Sequence, residues 1–120
     1  MTFQSLQPFV PSGADFNQAK ALFQDLGFTM NWDMDDYSGF QNGHCRFILQ
    51  RYDVKEFAEN FMISVELADV AAFLEEVLAK QIPEKFGIRV SKIINQPYGK
   101  EVNVIDMAGV CWHFVQPRVS

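Results

Sequence analysis

Two stretches of the chain carry apolar residues at helical spacing. In the first, Phe16, Ala19, Phe23 and Leu26 recur on one face, with Asp15 placed to cap the start and Gly27 to end the turn in a left-handed conformation. In the second, Val70, Phe73, Leu74, Val77 and Leu78 share a face, Asp69 stands at the start and Pro83 follows the end. Glu76 and Lys80 form a solvent-side pair in the favourable orientation. Both stretches predict amphipathic helices.

Alternating patterns predict strands on either side of each helix. One lies before the first helix (6–10) and three after it (28–34, 38–43 and 45–52). The second helix has the same surroundings, with one strand before it (61–67) and three after it (88–95, 101–106 and 110–116). In 61–67, Phe61, Ile63, Val65 and Leu67 form an apolar face, whereas Met62, Ser64 and Glu66 form a mixed one that must look at water, a ligand or another subunit. Asn42-Gly43 and Ala108-Gly109 suit hairpin turns, and the charged stretch 52–59 reads as a connection. Setting Asp15 on Asp69 aligns Phe16 with Val70, Ala19 with Phe73 and Phe23 with Val77, so the chain reads as one unit repeated. The expected fold is α+β, one domain of two βαβββ modules at about 1–55 and 56–120.

Composition narrows the function classes. A chain of 120 residues, 48% apolar and 21% charged, has the make-up of an ordinary globular protein. Its 10 basic residues against 15 acidic ones leave a net charge of -5 without a basic cluster, which disfavours nucleic acid as a partner and suits cationic ligands. No apolar run reaches membrane-spanning length and no signal pattern opens the chain, so neither membrane insertion nor export is expected and a cytoplasmic location is. Cys45 and Cys111 lie in apolar runs without metal-ligand spacing and read as free thiols. There is no phosphate-cradling glycine loop, nucleophile elbow or zinc-protease helix.

Two stretches carry candidate chemistry. In 31–40, Trp32, Tyr37 and Phe40 stand among Asp33, Asp35 and Asp36, a mixture that suits either a solvated hairpin or a site for a flat or cationic ligand. In 105–114, His113 stands between Trp112 and Phe114, where it packs in a core, lines a pocket or binds a metal. His44 beside the first hairpin has nothing to pair it with His113.

"DFNQAKALFQDLGF" resembles the first helix of the vicinal oxygen chelate superfamily, and "PYGKEVNVIDMAGVCWHFVQ" resembles its closing hairpin. In length and layout the chain is most similar to the bleomycin-resistance-protein branch. The resemblance implies a cup of eight strands with Phe9, Phe47, Met62, Ser64, Tyr98 and His113 inside it or at its rim, and a homodimer. It also implies metal-ligand positions on four strands, which fall on or near Gln7, on Leu49 or Gln50, on Met62 and on His113. Such a centre needs about three or four converging N and O donors, and Met62 and Leu49 do not supply them.

The expected function is therefore metal-independent capture of a small molecule, without a cofactor, in an aromatic and acidic groove lined by Phe9, Trp32, Asp33, Asp35, Tyr37, Phe47, Met62, Ser64, Tyr98 and His113. The alternative is a glyoxalase- or dioxygenase-type enzyme using Zn, Ni, Mn or Fe with an atypical set drawn from His113, Gln7, Gln50, Glu66 and Glu101, although the strand pattern joins neither glutamate to His113.

Overall fold

The computed structural model describes residues 1–119. The first half runs β1 (Phe9–Pro11), α1 (Phe16–Asp25), β2 (Thr29–Asp33), β3 (Tyr37–Asn42) and β4 (Cys45–Gln50). A short helix, α2 (Lys55–Glu59), lies in the connection. The second half runs β5 (Met62–Glu66), α3 (Val70–Ala79), α4 (Ile82–Phe86), β6 (Arg89–Val90), β7 (Ile94–Gln96), β8 (Gly99–Ile105) and β9 (Cys111–Pro117).

The halves are built alike. Asp15 and Asp69 each accept a hydrogen bond at 3.0 Å from the backbone N–H three residues on, Gln18 and Ala72 respectively, and so cap α1 and α3 in the same way. The sheets have the same order, β1-β4-β3-β2 and β5-β9-β8-β6 with β7 also on β8. In each, the opening strand pairs in parallel with the closing one, Phe9 beside Ile48 and Met62 beside Cys111.

Three departures from the sequence pattern have local causes. The first strand begins only at Phe9, because Pro8 has no N–H to donate, although its carbonyl accepts from Ile48 N at 2.9 Å. The strand expected at 88–95 breaks into β6 and β7, where the Ser91 hydroxyl accepts the Asn103 N–H at 2.9 Å in place of a strand carbonyl. Pro83, expected only to follow a helix, sits in the first turn of the additional helix α4, where its missing N–H costs nothing.

The helix-side faces of the two sheets share one core. Trp112 of β9 has ring-centroid distances of 5.1 Å to Phe23, 6.0 Å to Phe28 and 5.2 Å to Phe47, all in the first half. Its indole N–H donates to Asp106 Oδ2 at 2.9 Å, while Asp106 Oδ1 accepts from the N–H groups of Ala108, Gly109 and Val110 at 3.0 to 3.1 Å. One buried carboxylate thus shapes the β8–β9 turn and fixes the central ring of the core. Burial pushes its carboxyl above the ordinary aspartate value, against the pull of these four donors. At the other side of α1, Lys80 Nζ donates to the Asp25 carbonyl at 2.9 Å and Lys85 Nζ pairs with the Asp25 carboxylate at 2.7 Å.

Candidate functional site

Each sheet has a second face that no described helix covers, and most of the predicted site residues lie on these two faces. On the first sheet, Phe9 and Tyr37 meet edge to face at 5.9 Å. Trp32 pairs with Gly39 in the β2–β3 register, and its indole lies so close over Gly39 that a Cβ there would fall 2.1 Å from Nε1. Phe9, Trp32 and Tyr37 are 53%, 40% and 40% exposed, an unusual amount of aromatic surface for one side of a small sheet.

The acidic half of the expected groove is elsewhere. Asp33 accepts from Ser38, a fully buried residue, and pairs with Lys20 of α1 at 3.2 Å, which places its carboxylate on the helix side. The Ser38 and Lys20 hydrogen bonds hold its carboxyl below the ordinary aspartate value. The cause is an irregularity between Met30 and Trp32 that changes which residues share a face, so Trp32 turns outward and its neighbour Asp33 inward. Asp35 lies in the turn after β2, where its carbonyl accepts from Arg51 and the adjacent Asp36 carboxylate pairs with Arg51 at 3.2 Å. Phe47 is a further correction: it is buried, with ring-centroid distances of 4.9 to 5.2 Å to Phe23, Phe28, Phe40 and Trp112, because alternation along β4 turns it inward with Leu49.

The second open face is polar at its centre. Met62, Ser64, Tyr98 and His113 gather there around Glu101, and Ser64 sits directly beside His113 in the β5–β9 register. His113 Nδ1 lies 2.8 Å from Glu101 Oε2, and the Tyr98 hydroxyl donates to Glu101 Oε1. Glu101 is 1% exposed. Its burial raises the carboxyl pKa, but the hydrogen bonds from Tyr98 and His113 outweigh that and leave the group below the ordinary glutamate value. The pairing raises the Tyr98 phenol in turn.

An ionised Glu101 can only accept, so His113 donates through Nδ1–H, and Nε2 is left facing the Met62 sulfur at 3.4 Å. Asn103 stands opposite His113 in the β8–β9 register, and its buried Oδ1 has no hydrogen-bond partner among the described residues. Cys111, also on this face, has its thiol pushed up by burial and by the charges of Glu101 and Asp106, which keeps it protonated.

The atypical metal set does not converge. Gln7 precedes β1 and donates to Ser5, Gln50 pairs with Tyr37 on the first sheet, and Glu66 pairs with Val115 on the second. Glu101 does join His113, contrary to the reading of the strands, but its oxygens are taken by Tyr98 and His113. Among the described residues no group of three or more His, Cys, Asp or Glu side chains could hold a metal ion, so these donors do not fit a resident divalent centre. No described helix is long and apolar enough to cross a membrane.

A cavity of about 630 Å³ lies at the hairpin end, bordered by Asp53, Lys55, Arg89, Asp106 and Cys111, the last of which lies on the second open face. It contains none of the predicted groove residues.

No family model and no curated protein matches the sequence. Solved structures do match its fold. The bleomycin-binding protein of Streptomyces verticillus, solved with copper(II)-bleomycin, superposes with a TM-score of 0.80 at 23% identity, covering 98% of this chain and 99% of that one. The bleomycin resistance determinant encoded on transposon Tn5 gives a TM-score of 0.80 at 20% identity over 98% and 100% of the two chains. The fosfomycin resistance protein FosX of Listeria monocytogenes, solved with Mn(II) and sulfate, gives 0.75 at 11% identity over 99% and 94%.

Proposed function

We propose that this chain, which has the vicinal oxygen chelate fold, captures a flat or cationic small molecule without converting it, in a groove that a second copy of the chain completes. The observation that carries this reading is the pair of open faces, one presenting Phe9, Trp32 and Tyr37 and the other Met62, Tyr98 and His113. Aromatic and thioether side chains left in water are costly unless something covers them, and they stack well on planar ligands. The likeness to bleomycin-binding proteins supports an antibiotic or similar molecule as the ligand. Capture is favoured over metal-dependent catalysis because the donor residues do not converge. We place the homodimer in the cytoplasm, where an acidic protein of net charge -5 attracts cations.

Titration with metal-free bleomycin, read by tryptophan fluorescence, tests the proposal. Trp112 is buried and bonded to Asp106, so ligand quenching has to come from Trp32 and disappear in Trp32→Phe. Sedimentation should give a dimer that Met62→Arg dissociates. A monomer that neither bleomycin nor a simple flat cation such as methylene blue quenches would overturn the reading.

A further inference from the structure

We infer that Met62 is an oxidation site, where a peroxide converts the thioether to the sulfoxide with the help of His113 Nε2. The oxidation stands apart from the capture reading, whereas its consequence, release of the ligand, rests on that reading.

Two requirements for such a site meet at this sulfur. The first is access. Met62 is 65% exposed, and it borders the groove proposed to take the ligand, which is open to so small a molecule as peroxide. The second is an electron-rich neighbour. His113 Nε2 lies 3.4 Å from the sulfur, and because Nδ1–H is donated to the buried Glu101 carboxylate at 2.8 Å, the nitrogen turned to the sulfur carries a lone pair. Tyr98 holds Glu101 in turn, so the ring is fixed from behind and its far nitrogen is made more basic.

That lone pair serves the reaction in two ways. The sulfur attacks one oxygen of hydrogen peroxide, and the S–O bond forms as the O–O bond breaks. The sulfur gives up two electrons and the peroxide gains them. Nε2 supports the positive charge that grows on the sulfur, takes the proton from the transferred oxygen and passes it to the departing hydroxide, which leaves as water. Sulfoxide and water are the products, and His113 ends unchanged. An apolar, polarisable surface has then become a polar one that stacks poorly on a flat ligand.

Met34 provides an internal control, since it is 69% exposed in the turn between β2 and β3. Of the chain's two histidines, His113 faces Met62 and His44 lies in the β3–β4 hairpin. The experiment is limited oxidation of the full chain with hydrogen peroxide, each methionine being read by peptide mass spectrometry. Cys45→Ser keeps the exposed thiol from consuming the oxidant. Met62 should oxidise several times faster than Met34 in the folded chain and at the same rate in urea. His113→Ala and His113→Gln should both make the folded rates equal. Removing the ring opens the sulfur further, so a slower reaction in His113→Ala does not come from shielding. Equal rates in the folded chain that retains His113, or a difference that survives both substitutions, overturns the site. Chain oxidised at Met62 should bind metal-free bleomycin about threefold to tenfold more weakly, and methionine sulfoxide reductase should restore the affinity. Unchanged binding overturns the release. If the untreated chain does not bind bleomycin, capture falls, and the two methionine rates alone decide the oxidation site.

Discussion

The two halves of the molecule share a scaffold and differ on the face that the scaffold leaves open. Their caps at Asp15 and Asp69 have the same geometry, and their strands follow the same order. Yet the first open face is aromatic, with Trp32 lying flat on Gly39, whereas the second has a buried acid at its centre, donated to by a tyrosine and a histidine. The difference lies almost wholly at strand positions that point away from the shared core. Such positions can change without disturbing the fold, which is why likeness of fold leaves the ligand to be argued from the faces themselves.

The largest test of this comparison is the core that the halves share. Trp112→Ala should cost roughly 3–5 kcal/mol in urea unfolding, because it removes the ring around which Phe23, Phe28 and Phe47 pack. A loss below about 1 kcal/mol would mean that the halves stand separately. Next come the caps: Asp15→Ala and Asp69→Ala should each cost about 1 kcal/mol. Their costs should be nearly equal, and additive in the double variant. Clearly unequal costs would break the equivalence of the two units.

Smaller effects, confined to acid, should separate the faces. Because the folded-state pKa of Glu101 is depressed, its contribution is fully present above the unfolded glutamate value and is lost as pH falls through the lower folded one. Wild type should therefore lose its advantage over Glu101→Gln across that acid range, measured as unfolding midpoints against pH. Asp33 is shifted in the same direction by Ser38 and Lys20, but it lies at the surface and is screened, so Asp33→Asn should change the acid limb least. An equal effect at the two sites would remove the distinction between a buried and a surface carboxylate.

Signals confined to one element were legible in the sequence. The helix caps, the alternation of Ile63 and Val65 with Met62 and Ser64, and the turns at Gly43 and Gly109 all follow from spacing along a single strand or helix. Contacts that depend on register were not. Glu101 meets His113 across a diagonal of the β8–β9 pair, set by how many residues the turn around Asp106 takes up. The helix-side position of Asp33 is hidden for a similar reason, since the irregularity in β2 leaves no mark in composition. Phe47 is the opposite case: its alternation with Leu49 points inward, and only the family resemblance places it in the cup.

The parallel pairings also have a kinetic side. Phe9 finds Ile48 and Met62 finds Cys111 only after most of each unit has been spanned, so both sheets close through contacts distant in sequence. Folding dominated by such contacts is slow. In the second half β9 lies between β5 and β8, so that sheet has no middle until residues 111–117 are available. During synthesis the first unit can pair its strands early, while β5 waits with an unmatched edge for the last strand to arrive. The arrival of β9, which carries both Trp112 and His113, therefore sets when the core closes and when the histidine meets its glutamate.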